Sequence, residues 1–273
     1  MDQKMKILII ANKIVFPASD GGSLAMGNLC NMLSDQKYMV DVISISKNNH
    51  INSINQPIQS QQNKYINQVI FQKNMRFNIF SFINSILQNK SYQASRFYHK
   101  KIQTFIQDKI NKKKYNIIIF ESIFSTIYLN GLDILPSTTK ILRAHNVEHK
   151  IWEDLAAQQK ITKIPFLLLA YQLRIMEKNT PKKLDYIFTL SKSDEKYFKN
   201  IFPKKTHNIP VTFKPKSNNI KKIKNSIFHL GAMDWKPNIE GLNWFLKDVK
   251  PLIEIKNNIN IYCLHTNLDN NPR

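Results

Sequence analysis

Short apolar runs alternate with segments of helical period along most of this chain, and that alternation predicts a parallel α/β sheet. Residues 77–112, the segment after Val147 and the stretch Ile164–Lys178 are predicted helices, whereas the polar residues 47–64 are predicted to form a loop. The predicted strands are the runs KMKILIIAN, VDVISIS, NQVIFQK, YNIIIFE, KILRA and DYIFTLS. YNIIIFE is apolar throughout, as expected of a strand with helices on both faces.

The pattern is interrupted after Pro210 and then starts again. The polar, basic segment 214–225 is a predicted linker, and SIFHLGA, NIEGLNWFLKDV and NINIYCL follow it as strand, helix and strand. We therefore predict a Rossmann-like parallel sheet domain over residues 1–213 and part of a second α/β domain over residues 226–273. The second unit is short beside a usual domain of about 100–150 residues.

Composition narrows the class of protein. Hydrophobic residues make up 42% of the 273 positions, which is enough for a core, and the net charge is +21. Nearly all of the basic residues are lysine rather than arginine, the better reader of phosphates and bases, so we expect no nucleic-acid partner. A basic face held against anionic lipid is a weaker interpretation. Cys30 and Cys263 are expected to be unpaired buried thiols, and the chain is expected to be cytoplasmic because no signal-peptide core follows Met1.

The stretch ILRAHNVEHKIWEDLA carries His145, Glu148 and His149 in the order H-x-x-E-H, which can mark a zinc hydrolase. Two histidines four residues apart bind one metal only from the same face of a continuous helix. KILRA is strand-like and Asn146 is a good N-cap, so His145 is predicted to precede the helix. The alternative without a metal is a loop histidine, with Glu148 complementing the helix dipole.

The positions of several residues at the ends of predicted strands favour a ligand-binding site at one edge of the sheet over a metal site. In an open parallel sheet, ligands bind beyond the carboxyl ends of the strands. The glycine pair Gly21-Gly22, Glu121, His145 and Ser191 each follow or end a different predicted strand, so the fold would bring them to one edge. A glycine pair before a helix permits a diphosphate or a sugar to approach the backbone. Ser191-x-x-Asp194 is a capping-box match that predicts the start of another helix.

Four segments together resemble GT-B glycosyltransferases, especially glycosyltransferase family 4. The chain is similar to the start of their acceptor-side domain, to the region around their donor-site histidine, to the strand and helix before their crossover, and to the opening of their donor-binding domain. The segments are MKILIIANKIVFPASDGGSLAMGNLCNMLS, RAHNVEHKIW, DYIFTLSKSDEKYF and HLGAMDWKPNIEGLNWFLKDVKPLI.

The resemblance implies transfer of a sugar from a nucleotide sugar to a glycan or lipid-linked acceptor, with retention and with no metal or other cofactor. It implies that His145 orients the donor sugar as the catalytic residue. Glu121 and Ser191 fall on the acceptor side. The donor-binding residues it implies are Gly21, Gly22, His145, Asn146, Gly231 and Lys236.

The sequence departs from the family after Gly231 and again at its end. Ala232 stands where many relatives carry arginine, and Lys236 lies one step from the usual lysine. The segment HTNLDNNPR does not match the continuation of the family, so we expect a C-terminally truncated transferase with little activity alone. A non-catalytic acceptor-binding module and a zinc-dependent hydrolase remain alternatives.

Overall fold

The larger of two sheets positions the residues of interest. The computed structural model describes residues 4–159, 163–213, 223–231, 236–254 and 260–265. Within those residues the larger sheet has eight strands in the order β3-β4-β2-β1-β5-β6-β7-β8, parallel except for β3. Its strands are β1 Lys6–Ala11, β2 Met39–Lys47, β3 Ile58–Gln61, β4 Ile66–Lys73, β5 Ile117–Glu121, β6 Thr139–Ala144, β7 Tyr186–Thr189 and β8 Thr206–Asn208.

Helices connect the parallel strands, as the predicted α/β class requires. The helices of this unit are α1 Gly21–Asp35, α2 Ile79–Leu87, α3 Tyr92–Ser95, α4 Lys100–Lys113, α5 Ser122–Ser125, α6 Glu148–Ala157, α7 Lys163–Asn179 and α8 Lys192–Ile201. Short 3-10 turns occupy Thr126–Gly131 and Thr180–Lys183. None of the described helices combines the length and apolar character that a bilayer crossing requires.

The order of the strands creates a switch point between β1 and β5. From β1 the chain builds outward through β2 and β4, then returns to place β5 on the other side of β1. Connections on the two sides of this point leave the sheet in opposite directions, which opens a crevice at the carboxyl ends of the strands. Ala11 and Glu121, the last residues of β1 and β5, are direct partners in the register.

Apolar side chains cover both faces of this sheet. On one face, Met26 and Cys30 of α1 pack against the isoleucines and valines of β1 and β2. On the other face, Ile102 and Ile106 of α4 and Phe198 of α8 join the largest apolar cluster. Full burial of such a side chain stabilises the fold by about 1.5–3 kcal/mol, so the double coverage explains the apolar runs Ile7–Ala11 of β1 and Ile117–Phe120 of β5.

Two strands were not predicted. The predicted loop 47–64 contains β3, which pairs antiparallel with β4 as the edge of the sheet. Three of its four residues are exposed, so its polar sequence IQSQ carries no apolar alternation. The other, β8, is a three-residue strand beside β7, too short for a periodic signal.

A second, smaller sheet follows the predicted linker, of which residues 214–222 lie outside the described residues. Strands β9 Ser226–Gly231 and β10 Asn260–His265 pair in parallel. Between them come α9 Lys236–Trp244, a π-helical stretch Phe245–Val249 and α10 Lys250–Glu254. This is the predicted strand, helix and strand order. Phe228 of β9 and Tyr262 of β10 are exposed, so this sheet has uncovered apolar surface.

Candidate active site

The glycine pair belongs to the first turn of α1 rather than to the loop before it. Asp20 caps the helix: its Oδ1 accepts from the Ser23 N–H at 2.7 Å, and the Ser23 hydroxyl accepts from the Asp20 N–H at 2.9 Å. This reciprocal capping box sets the start of the helix at Gly21. The helix N-terminus therefore lies just beyond the carboxyl end of β1, where its partial positive charge favours an anion.

The two glycines differ in their surroundings. A Cβ on Gly21 would meet no atom within 4 Å, whereas a Cβ on Gly22 would lie 2.9 Å from Nζ of Lys13. Lys13 also forms a 2.7 Å ion pair with Asp20. Neither glycine has a positive φ, so neither is required for its backbone freedom, and only at Gly22 does the absence of a side chain leave room for a neighbour, Lys13.

His145 and Glu121 meet beside the switch point. Nε2 of His145 lies 2.6 Å from Oε2 of Glu121, and Nη1 of Arg143 donates to Oε1 of the same carboxylate at 3.0 Å. Arg143 also donates to the Ala25 carbonyl of α1 at 3.2 Å. Strands β5 and β6 and helix α1 are thereby joined by one buried polar network. Only His145, whose side chain is 12% exposed, reaches the surface of that network, because Arg143 is nearly and Glu121 completely buried.

Glu121 is ionised in this network. Burial alone would raise the pKa of its carboxyl, but Arg143 and the bond to His145 outweigh burial and hold that pKa below its usual value. An ionised Glu121 places the proton of a neutral imidazole on Nε2, which leaves Nδ1 as a hydrogen-bond acceptor. The next residue, Ser122, has φ 69°, a costly conformation for a residue other than glycine and one that clusters at functional sites.

The two histidines of the H-x-x-E-H segment have different partners. Nδ1 of His149 lies 2.5 Å from Oε2 of Glu177 on α7, and both side chains are buried. His145 instead contacts Glu121, so the imidazoles do not converge on one point. Within the described part of the chain, no group of three His, Cys, Asp or Glu side chains could hold a metal ion. This geometry does not support the zinc hydrolase interpretation.

Helix α6 is capped by carboxylates from other helices, and the predicted N-cap was wrong. The N-cap position is Val147 rather than Asn146. The N–H of Val147 donates to Asp194 of α8 at 3.2 Å, and the N–H of Glu148 donates to Glu177 at 2.6 Å. Two long-range carboxylates thus replace the local cap. Asn146 is exposed, and its amide donates to Glu148 at 3.4 Å.

Glu148 has an unusual titration. Burial is the largest cause that raises its pKa to about 7, with the charges of Glu177 and Asp194 adding to it, while Asn146 and Lys13 act in the opposite sense. The influence of Lys13 links Glu148 to the loop that precedes Gly22. A carboxyl that titrates near neutral pH at the mouth of a sheet crevice is a candidate functional group.

Ser191 is occupied as the N-cap of α8, as its capping-box pattern predicts. Its hydroxyl accepts from the Asp194 N–H at 3.1 Å and contacts the Asp194 carboxylate at 2.5 Å. These bonds give Ser191 a structural role, and its contact with an acceptor stays a prediction. The same holds for Glu121, whose complete burial favours a role in positioning His145 over direct contact with an acceptor.

The second sheet carries the other two predicted donor-binding residues. Gly231 ends β9, and a Cβ there would lie 2.8 Å from the His229 side chain and 3.0 Å from the Asn238 side chain of α9, so a larger residue would require these side chains to shift. Lys236 is the first residue of α9, and its side chain lies outside the described part of the structure. Their contact with a donor stays a prediction.

Comparison with known proteins adds fold-level evidence. No protein-family model matches the chain. A structure of trehalose-6-phosphate from E. coli bound with UDP-2-fluoro glucose superposes with a TM-score of 0.52 at 10% identity, over 94% of this chain and 64% of that one. The OtsA apo structure superposes with a TM-score of 0.51 at 13% identity, over the same shares. The chain has the GT-B fold. At these identities the similarity concerns the fold alone.

One curated protein is similar across nearly the whole chain. It is an uncharacterized 44.6 kDa protein in the cps region of Klebsiella pneumoniae, 26% identical over 266 residues, which are 94% of this chain. The chain spans 63% of the length of that relative. The GT-B fold predicted from the four segments is thus confirmed, whereas the donor, the acceptor and the chemistry belong to a proposal.

Sequence reasoning missed three residues of this candidate site. Arg143 holds the Glu121 carboxylate, Lys13 lies against Gly22, and Glu177 binds His149 and caps α6. Arg143 could have been found from the sequence, because an arginine in the predicted buried strand KILRA needs a buried partner of opposite charge. Glu177 could not, since only the packing of α7 against α6 brings it to His149.

Proposed function

We propose that this protein transfers a sugar from a nucleotide sugar to a glycan or lipid-linked acceptor, with retention at the anomeric carbon. The observation that carries the proposal is the bond between His145 and Glu121 beside the switch point of a GT-B sheet, in a network that Arg143 joins to α1 through the Ala25 carbonyl. Supporting it, the E. coli structure of the same fold is bound with UDP-2-fluoro glucose. The nucleotide sugar is the co-substrate, and the proposed mechanism requires no further cofactor.

His145 is the proposed catalytic residue. Glu121 fixes the imidazole with the proton on Nε2, so Nδ1 can accept a hydrogen bond from a hydroxyl of the donor sugar and orient it. The N-terminus of α1, with Gly21 and Gly22, supplies backbone N–H groups for the diphosphate. Asn146, Gly231 and Lys236 complete the proposed donor side, where a cation and helix N–H groups would stabilise the charge of the leaving diphosphate.

The proposed acceptor enters on the side of Glu121 and Ser191, and the proposed place of action is the cytoplasm or the inner face of the membrane. The curated relative comes from a cps region, which fits assembly of a polysaccharide. A non-catalytic acceptor-binding module is the second candidate. It is favoured by the exposed apolar residues Phe228 and Tyr262 of the smaller sheet, which leave the donor-side unit incompletely covered in the described residues.

A donor titration separates these two functions. We expect a panel of nucleotide sugars to include one that binds the protein. We expect His145→Ala to weaken that binding by about tenfold, the loss of one hydrogen bond to the donor sugar. Lys196→Ala on the exposed face of α8 is the matched control and should leave the affinity unchanged. Failure of every nucleotide sugar to bind, together with binding of a glycan acceptor, would favour the module.

A further inference from the structure

A cavity lined by basic residues lies at the same edge of the large sheet, two strands beyond β1. It has a volume of about 390 Å³ and opens between the end of β4 and helices α2 and α3. Four cationic side chains line it, together with amides and hydroxyls, and no Asp or Glu belongs to this lining. The cations are Lys73, Arg76, Lys90 and Arg96. We call this the basic cavity.

The charge of the basic cavity is not compensated by the protein. Within the described residues, none of its four cations lies within ion-pair distance of a carboxylate. The sequence explains this, because no Asp or Glu occurs between Asp41 and Asp108. The segment between these two residues therefore carries only positive charge, which attracts an anion.

Two of the cations are held close together inside the cavity. Nζ of Lys73 donates to the carbonyl of Arg96 at 2.7 Å, and the Arg96 guanidinium donates to the Met75 carbonyl and, at 3.1 Å, to Gln93. Nε of Arg96 is buried with no hydrogen-bond partner. Burial, followed by the nearby charge of Arg96, lowers the pKa of Lys73 to about 8. An anion in the cavity would relieve both the repulsion and the missing bond.

Helix α2 presents an apolar face beside this cavity. Phe80 and Leu87 are 79% and 80% exposed, and Phe77, Ile79 and Ile83 are about half or more exposed. On the opposite side of the helix, Phe82 is buried against Tyr92 and Leu169, which anchors α2 to the protein. The exposed residues form a fixed apolar surface next to uncompensated positive charge, a combination typical of helices that lie in a lipid interface.

We propose that the basic cavity and the exposed face of α2 form a docking site for anionic membrane lipid, with a lipid phosphate in the cavity and the side chains of Phe80 and Leu87 among the acyl chains. Free phosphate would use the cavity alone, and duplex nucleic acid would use neither aromatic nor aliphatic side chains of α2. The exposed apolar face therefore selects lipid as the occupant. The proposal is independent of sugar transfer, since its site shares no residue with the network around His145.

Vesicle cosedimentation at physiological ionic strength tests the site. We expect the protein to bind vesicles that contain phosphatidylglycerol and not vesicles of phosphatidylcholine alone. Arg76→Gln with Lys90→Gln, both exposed positions, should weaken binding roughly thirtyfold. Phe80→Asp should weaken it at least about tenfold. These variants change exposed side chains, so the fold should persist, and circular dichroism checks that it does.

Matched controls separate this site from a general effect of positive charge. Lys112→Gln with Lys196→Gln removes the same charge from α4 and α8, and Leu135→Asp changes an exposed apolar residue elsewhere. We expect both controls to bind vesicles like the unmodified protein. Equal losses in controls and site variants would overturn the proposal. So would absence of vesicle binding, whether or not inorganic phosphate or random duplex DNA binds under the same conditions.

Discussion

His145 and His149 lie four residues apart in the sequence but bind carboxylates from two different elements, β5 and α7. His145 contacts Glu121 at the end of β5 at 2.6 Å, and His149 contacts Glu177 on α7 at 2.5 Å. Strand β6 ends before His145, so the two side chains do not share a helix face. One motif therefore contains a partly exposed histidine of the candidate site and a fully buried structural one.

This division predicts opposite phenotypes for the two alanine variants. His149→Ala leaves the buried Glu177 carboxylate without its imidazole partner, and we expect a loss of at least about 2 kcal/mol in the free energy of unfolding. His145→Ala should cost about 1 kcal/mol or less, because Glu121 keeps Arg143, while donor affinity falls. Urea denaturation and nucleotide-sugar titration measure the two effects. A larger stability loss for His145→Ala would contradict the assignment.

The buried pair of Glu121 and Arg143 predicts strong energetic coupling. Glu121→Gln or Arg143→Met alone leaves one buried charge without its partner, and each should cost about 3–5 kcal/mol in the free energy of unfolding. The double variant should cost much less than the sum of the two, because it removes both charges. A double-mutant cycle in urea measures the coupling.

The exposed pair of Glu195 and Lys199 on α8 provides the control for that cycle. Glutamine at either position should cost under about 1 kcal/mol, since water screens exposed ion pairs. If Glu121→Gln were no more costly than Glu195→Gln, the buried network would not be a stabilising element of the fold.

Ser191 predicts a smaller, local effect. Its hydroxyl accepts from the Asp194 N–H, so Ser191→Ala removes the cap of α8 and should cost about 1 kcal/mol. Lys196→Ala, at an exposed position on the same helix, is the control and should be nearly neutral. Thermal unfolding of the two variants checks the difference, and equal melting temperatures would mean that the cap contributes nothing.

Local sequence signals correctly predicted the order of the elements, apart from β3 and β8, and the position of His145 between a strand and a helix. Apolar runs mark β1 and β5 because helices cover both faces. β7 lies between β6 and β8, and its run DYIFTLS was also predicted. The edge strand β3 was missed because most of its side chains contact water and need no apolar alternation. β8 was missed because three residues cannot show a period.

The contacts that complete the site depend on tertiary packing. Asn146 has the intrinsic preference of an N-cap, but Asp194 and Glu177 reach the first N–H groups of α6 from other helices and replace it. Glu121 was placed at the correct edge, yet its burial beneath His145 follows from Arg143, which bonds both Glu121 and α1. Long-range carboxylates of this kind leave no local pattern in the sequence.

The raised pKa of Glu148 predicts that the stability of the protein depends on pH. The pKa of its carboxyl is about 7 in the folded protein, mainly because of burial, against an ordinary value of 4.5. Between these values the unfolded chain is ionised at this position while the folded protein keeps the proton. The folded state thus binds more protons, and its stability must fall as pH rises from about 4.5 to about 7.

Glu148→Gln removes this dependence while preserving the size of the side chain. The full shift corresponds to about 3 kcal/mol, and because the residue is only partly buried we expect about half of that. The variant should match the unmodified protein near pH 4.5 and exceed its free energy of unfolding by about 1–2 kcal/mol at pH 8. Glu153→Gln, a more exposed position on the same helix, corrects for the general effect of pH. A difference between Glu148→Gln and the unmodified protein that is constant across this range, or that grows toward low pH, would show that burial does not raise this pKa.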